Sequence, residues 1–147
     1  MGNTTFSGPV RAGDIKEGAS ANLGYMVMAQ SALVNFAADG STTVIGIVPA
    51  NSQVLDFHVD VVVAFDAATT NTFDIGDGTT ANLFADALDV SSIAKVLGSS
   101  DVSQLPNYDD IGTSDVSVTV TYNQTGTVAA AGQAVVTVVY VQAKNLQ

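Results

Sequence analysis

Cysteine and tryptophan are absent, histidine occurs once and proline three times in 147 residues. Without cysteine there is no disulfide framework, no thiolate zinc site and no cysteine nucleophile. Positive charge is scarce. Arg11, Lys16, Lys95 and Lys144 stand against thirteen Asp and Glu17, a net charge of −10. Proteins that grip nucleic-acid backbone displace counterions with many Lys and Arg. No nucleic acid and no anionic membrane is therefore expected as a partner. Charged residues of both signs make up 12 % of the chain, about half of ordinary usage. No stretch approaches the 18 apolar residues of a spanning helix. The opening segment has neither the basic start nor the apolar run of a signal peptide. Gly2 is followed by Phe6 where a myristoylation pattern wants Ser or Thr.

What the chain has is β-branched. Val is the commonest residue at 22, with 20 Ala and 15 Thr. Helix formers such as Glu and Lys are few, so the mix favours strands. Apolar residues are 47 % of the chain, enough to close a core and exclude disorder throughout.

Residues 1–24 are rich in Gly, Asn and Ser, with few large apolar side chains, and are expected to form an extended arm. Residues 25–147 are expected to form one domain. Tyr25 to Phe36 is an apolar-biased run. Asp39-Gly40 marks a turn before Thr42 to Val48. Val54 to Phe65 alternates, which predicts Leu55, Phe57, Val59, Val61, Val63 and Phe65 on one face and Asp56, His58 and Asp60 on the other. Thr72 to Ile75 is a short strand, and Leu83 to Val90 a mixed segment. Ile93 to Leu97 predicts a single helical turn. Residues 98–112 form the longest polar loop. Asp115 to Tyr122 alternates without a break. Val135 to Val141 is apolar on both faces, the pattern of a strand covered on both sides. About eight strands with turn signals between them predict an all-β sandwich, barrel or jelly roll.

The chemical motifs are weak. Gly76 to Ala81 matches G-x-G-x-x-A, but no helix of useful length follows, so a dinucleotide site is not expected. Asp74, Asp77, Asp86 and Asp89 offer oxygen ligands without an EF-hand spacing. His58, with Asp56 and Asp60 two residues to either side, has no nucleophile or further ligand to work with. It is expected in a polar, solvent-facing or inter-subunit patch. No G-x-S-x-G elbow is present. The chain is not expected to be an enzyme or to hold a cofactor or metal.

Four segments carry a resemblance, in order along the chain. They are Phe6 to Gly13, Val48 to Val54, Phe73 to Val90, and the pair Val116 to Tyr122 and Val135 to Val141 joined through Thr127 to Gly132. They resemble the small capsid decoration, or cement, proteins of tailed double-stranded-DNA bacteriophages. The resemblance implies a jelly-roll-like antiparallel β-sandwich and no catalytic residue. It also implies a place on the outer capsid surface after synthesis in the bacterial host cytoplasm, with the major capsid protein and copies of the chain itself, often three, as partners. The function so implied is to stabilise the shell by clamping neighbouring major-capsid subunits. Phe6, Pro9, Val10, Arg11 and Lys16 are the expected contacts of the arm with capsid or neighbour, through strand addition and apolar anchoring, the alternative being an arm that packs on its own subunit as an edge strand. A sugar-binding jelly-roll module on a virion or cell surface is the alternative, with Tyr108 in the 98–112 loop as its aromatic platform.

Overall fold

The computed structural model describes residues 11–12, 24–25, 27–109 and 111–142. A short ladder pairs β1 (Arg11–Ala12) with β2 (Gly24–Tyr25). The sandwich follows, built from β3 (Val27–Asn35), β4 (Thr42–Val48), β5 (Ser52–Val63), β6 (Thr70–Gly76), β7 (Ala85–Asp89), β8 (Lys95–Leu97), β9 (Val116–Thr125) and β10 (Gln133–Gln142). One sheet runs β3-β10-β5-β8 and the other β4-β9-β6-β7, every ladder antiparallel. Except between β6 and β7, consecutive strands alternate between the sheets, which is the order of an eight-stranded jelly roll. The expected all-β sandwich is the fold observed.

Alternation builds the core. Val118, Val120 and Tyr122 of β9 and Ala134, Val136, Val138 and Tyr140 of β10 are buried, and their neighbours point outward. Two aromatic groups fill the two ends. Phe65, Phe73 and Tyr122 meet at centroid distances of 4.7 to 5.9 Å. Phe57, Phe84 and Tyr108 meet at 5.2 to 6.4 Å. Tilted and edge-on pairs of this kind add to the area they bury.

Strict alternation fails in β5. Tyr140 pairs with Val54 and Val139 with Asp56, while Ala134 pairs with Val61 and Gln133 with Val63. Each step inserts one extra residue, Leu55 and then Val62, as a bulge that shifts the phase. Val54 and Phe57 are thus both buried, whereas Leu55 and Val63, expected inside, are 42 % and 41 % exposed. The helical turn expected over Ile93 to Leu97 is also replaced. Lys95–Leu97 is a strand, pairing with His58, Val59 and Asp60.

On one side the sheets are joined by Gln30 of β3. Its amide nitrogen donates to the Ile47 carbonyl at 2.7 Å and to the Tyr140 hydroxyl at 2.8 Å, and its oxygen accepts the Ile47 N–H at 3.1 Å. The side chain thus acts as a strand residue toward the β4 edge, which would otherwise be open to pairing with another chain. Gly46 permits the approach, since a Cβ there would overlap the Gln30 side chain.

Candidate interaction surfaces

The sandwich presents three surfaces to solvent: the outer faces of the two sheets and the cleft between β7 and β8. On the β3-β10-β5-β8 sheet the outward residues stand in columns set by the registers. Val27, Ala29, Ser31 and Leu33 of β3 lie opposite Val141, Val139, Thr137 and Val135 of β10. Val139, Thr137 and Val135 in turn lie opposite Asp56, His58 and Asp60 of β5. His58 and Asp60 face Leu97 and Lys95 of β8. Two apolar columns therefore run beside one of mixed charge. Val27 and Leu33 are 56 % and 55 % exposed. Ser31 and Thr137 hydrogen-bond to each other at 2.8 Å within the apolar columns.

His58 lies where the sequence placed it, outward between two aspartates. Its Nε2 is 3.9 Å from Asp56 Oδ2, an ion pair only when the imidazole is protonated. Asp56 is held for another task. Its carboxylate accepts the backbone N–H groups of Phe57 at 2.8 Å and Ser99 at 3.0 Å, and the Ser99 hydroxyl at 3.0 Å. It anchors the loop after β8.

The outer face of the β4-β9-β6-β7 sheet is hydroxyl-rich. Thr42, Val44 and Ile47 lie opposite Thr121, Thr119 and Ser117, and Thr121 and Asn123 lie opposite Asp74 and Thr72. Asn123 donates to Asp74 at 2.7 Å, and the Thr70 and Thr125 hydroxyls meet at 2.7 Å. Polar side chains here bond to one another.

The β7–β8 cleft holds about 540 Å³ and is lined by Asp86, Asp89, Asp101, Leu88 and Val96 among others. Two of its three carboxylates, Asp89 and Asp101, are already engaged. Asp101 accepts from the Ser103 hydroxyl and N–H and from the Asp86 N–H, and the Ser103 hydroxyl leads in holding its carboxyl below the ordinary aspartate range. Asp89 is lowered by the Ser91 N–H and hydroxyl. Among the described residues no three His, Asp or Glu side chains stand together as a metal set. In the loop with the G-x-G-x-x-A pattern, Asp77 accepts the N–H groups of Thr79 and Thr80 at 2.8 and 2.7 Å, and Gly78 takes a positive φ of 83°. The glycine pattern shapes a turn between β6 and β7.

Tyr108 is not a platform. It is buried, packs edge-on to Phe57 and donates its hydroxyl to the Phe84 carbonyl at 3.2 Å. Burial pushes its phenol above the ordinary tyrosine value. Of the expected arm contacts, Phe6, Pro9, Val10 and Lys16 lie outside the described residues, and Arg11 pairs through its backbone with Tyr25. The β3 and β10 outward columns escaped individual notice in the sequence. Their signal was the two-faced apolar pattern of Val135 to Val141.

No protein-family model matches the chain, and no curated protein matches it. Solved structures share its fold. A chain of the cyanophage Pam1 capsid asymmetric unit aligns with a TM-score of 0.61 at 15 % identity, covering 85 % of this chain and 94 % of that one. A chain of the acid-stable capsid of Helicobacter pylori bacteriophage KHP30 aligns with a TM-score of 0.51 at 20 % identity, covering 78 % and 86 %. At such identities the likeness is one of fold.

Proposed function

We propose that this chain is a structural protein of a bacteriophage virion. In this reading it binds the outer surface of the capsid and stabilises the shell by clamping neighbouring major-capsid subunits. The observation that carries the reading is the jelly-roll sandwich, which aligns over 85 % and 78 % of the chain with chains of two phage capsid structures. Its partners are then the major capsid protein and further copies of itself, and a homotrimer is the expected assembly. Many weak contacts repeated on a symmetric shell reach high avidity without a deep pocket. The arm contributes contacts through Phe6, Pro9, Val10, Arg11 and Lys16, by backbone pairing to a free strand edge and apolar anchoring.

Mass spectrometry of purified virions tests this directly. The chain should be present in numbers comparable with the major capsid protein and should be labelled by a membrane-impermeant amine reagent on intact particles. Its absence from virions would end the reading. Removing residues 2–10, while keeping the β1–β2 ladder, should weaken rebinding to capsids stripped of this protein. Unchanged rebinding would remove Phe6, Pro9 and Val10 from the clamp.

A further inference from the structure

We propose that the outer face of the β3-β10-β5-β8 sheet is the surface through which copies of this chain meet. The first argument is burial. β10 carries apolar side chains on both faces, yet the sandwich covers only one, burying Ala134, Val136, Val138 and Tyr140. Val135, Val139 and Val141 stay half-exposed on the other, beside Val27, Ala29 and Leu33 of β3. Adjacent exposed apolar columns on a sheet are the kind of surface that marks a partner site.

The second argument is charge, and it selects the occupant. Between residues 27 and 142 the chain has twelve Asp and one cation, Lys95. That cation lies on this face, paired in register with Asp60 and two strands from the apolar columns. Elsewhere on the sandwich the charged side chains are carboxylates, so two copies approaching there repel. On this face each copy brings a cation and carboxylates together. A surface that meets its own copy about a two-fold axis must be self-complementary in this way.

The third argument is size, and it sets the strength. Val27 to Leu33 spans about 20 Å along the strand, and four strands span about 15 Å across. The footprint is on the order of 300 Å², below the roughly 800 Å² per partner of a stable free complex. Association is therefore weak and concentration-dependent in solution.

Multi-angle light scattering or sedimentation of the full chain, across a concentration series into the hundreds of micromolar, tests the proposal. The wild type should rise above its 15.0 kDa monomer mass. Leu33→Asp and Lys95→Glu should each shift the association curve to at least about tenfold higher concentration, which corresponds to about 1.4 kcal/mol. Val44→Asp is the matched control, because Val44 is 54 % exposed on the opposite sheet. It should leave the curve in place, and circular dichroism confirms that each variant is folded. A wild type that remains a monomer throughout overturns the proposal. So does a Leu33→Asp protein that associates like the wild type, or a Val44→Asp protein that loses association. The virion measurement is separate, so failure here and failure of the capsid reading are told apart.

Discussion

The two sheets share one core but present opposite exteriors. Inside, both contribute Val, Phe and Tyr in strict inward alternation or in bulged correction of it. Outside, the β4-β9-β6-β7 sheet bears Thr, Ser, Asn and Asp, several of which bond to one another as Asn123 does to Asp74, with Val44 and Ile47 exposed along its β4 edge. The β3-β10-β5-β8 sheet bears Val, Ala and Leu in two columns, with one internal polar pair. A face whose polar groups satisfy each other in water has no need of cover. A face of bare β-branched side chains gains from it, by about 25 cal/mol for each Å² of apolar area withdrawn from water. The comparison teaches that a sandwich can be finished as a fold and unfinished as an assembly, and that the difference lies in the outward residue of each strand pair.

The largest effect separates inside from outside within one strand. Val136 is buried and Val135, its neighbour, points outward. Val136→Asp places an unpaired carboxylate in the core and should cost more than about 4 kcal/mol, enough to unfold a marginal domain. Val135→Asp should stay within about 1 kcal/mol of the wild type in urea denaturation while losing self-association. Equal destabilisation by the two would mean that the outward column is already covered within the chain, and the contrast between the sheets would fail.

The next effect tests the side where the sheets are joined. Gln30→Ala removes three hydrogen bonds and leaves the Ile47 N–H and carbonyl without their amide partner. Water reaches that edge, so the loss should be about 1–3 kcal/mol in the urea midpoint. Thr121→Ala, on the hydroxyl-rich face, should cost less than about 0.5 kcal/mol. A Gln30 variant as stable as the Thr121 variant would show that the amide is not what holds β3 to β4.

How much of this was legible in the sequence follows from these residues. The clean alternation of β9 and the two-faced pattern of β10 were readable, because side-chain period is a local property. The bulges at Leu55 and Val62 were not, since both residues are apolar and the phase shift is set by pairing with β10. β8 was missed because Lys95–Leu97 is three residues long, too short for a period to show. Gln30 gave no signal at all, as one polar residue in an apolar run does not reveal what its amide will bond. The predominance of Asp over Glu was visible as a number, and only the structure gave it a cause. Asp56, Asp66, Asp77, Asp89, Asp101 and Asp115 each accept a backbone N–H within a turn or from an adjoining segment, a reach that suits the shorter side chain.

Those carboxylates set the acid response. Asp66 is lowered by the N–H groups of Ala131 and Ala130, Asp89 by Ser91, and Asp101 by Ser103. A folded pKa below the unfolded one gives stability that is complete above the unfolded value, near 3.9 for aspartate, and is lost as pH falls through the folded value. The urea midpoint should therefore be flat from pH 7 to about 5 and fall below about 4. Replacing all three with Asn should flatten that fall. An unchanged slope in the triple variant would mean that other carboxylates carry the acid response. None of the three lies in the apolar columns of β3 and β10, although Asp89 stands on the other outer face opposite Thr72, so self-association should survive in the triple variant.

The smallest effect sharpens the comparison most. Ser31 and Thr137 are the polar pair inside the apolar columns, bonded at 2.8 Å and open to water in the single chain. Ser31→Ala with Thr137→Val removes one exposed cross-strand hydrogen bond, a pair worth roughly 0.2–1 kcal/mol. The gain in strand preference from Val offsets part of it, so the urea midpoint should barely move. Association should respond differently. When the face is covered, each hydroxyl keeps its partner but loses the water that filled its remaining bonding capacity, a cost that the apolar variant avoids. The double variant should therefore associate at lower concentration than the wild type. The same treatment of the Thr70–Thr125 pair, bonded at 2.7 Å on the other sheet, should leave association where it was. Weaker association of the Ser31/Thr137 variant would give the opposite lesson. The two hydroxyls would then be bonding across copies, and the contact would be a polar lock set within an apolar face.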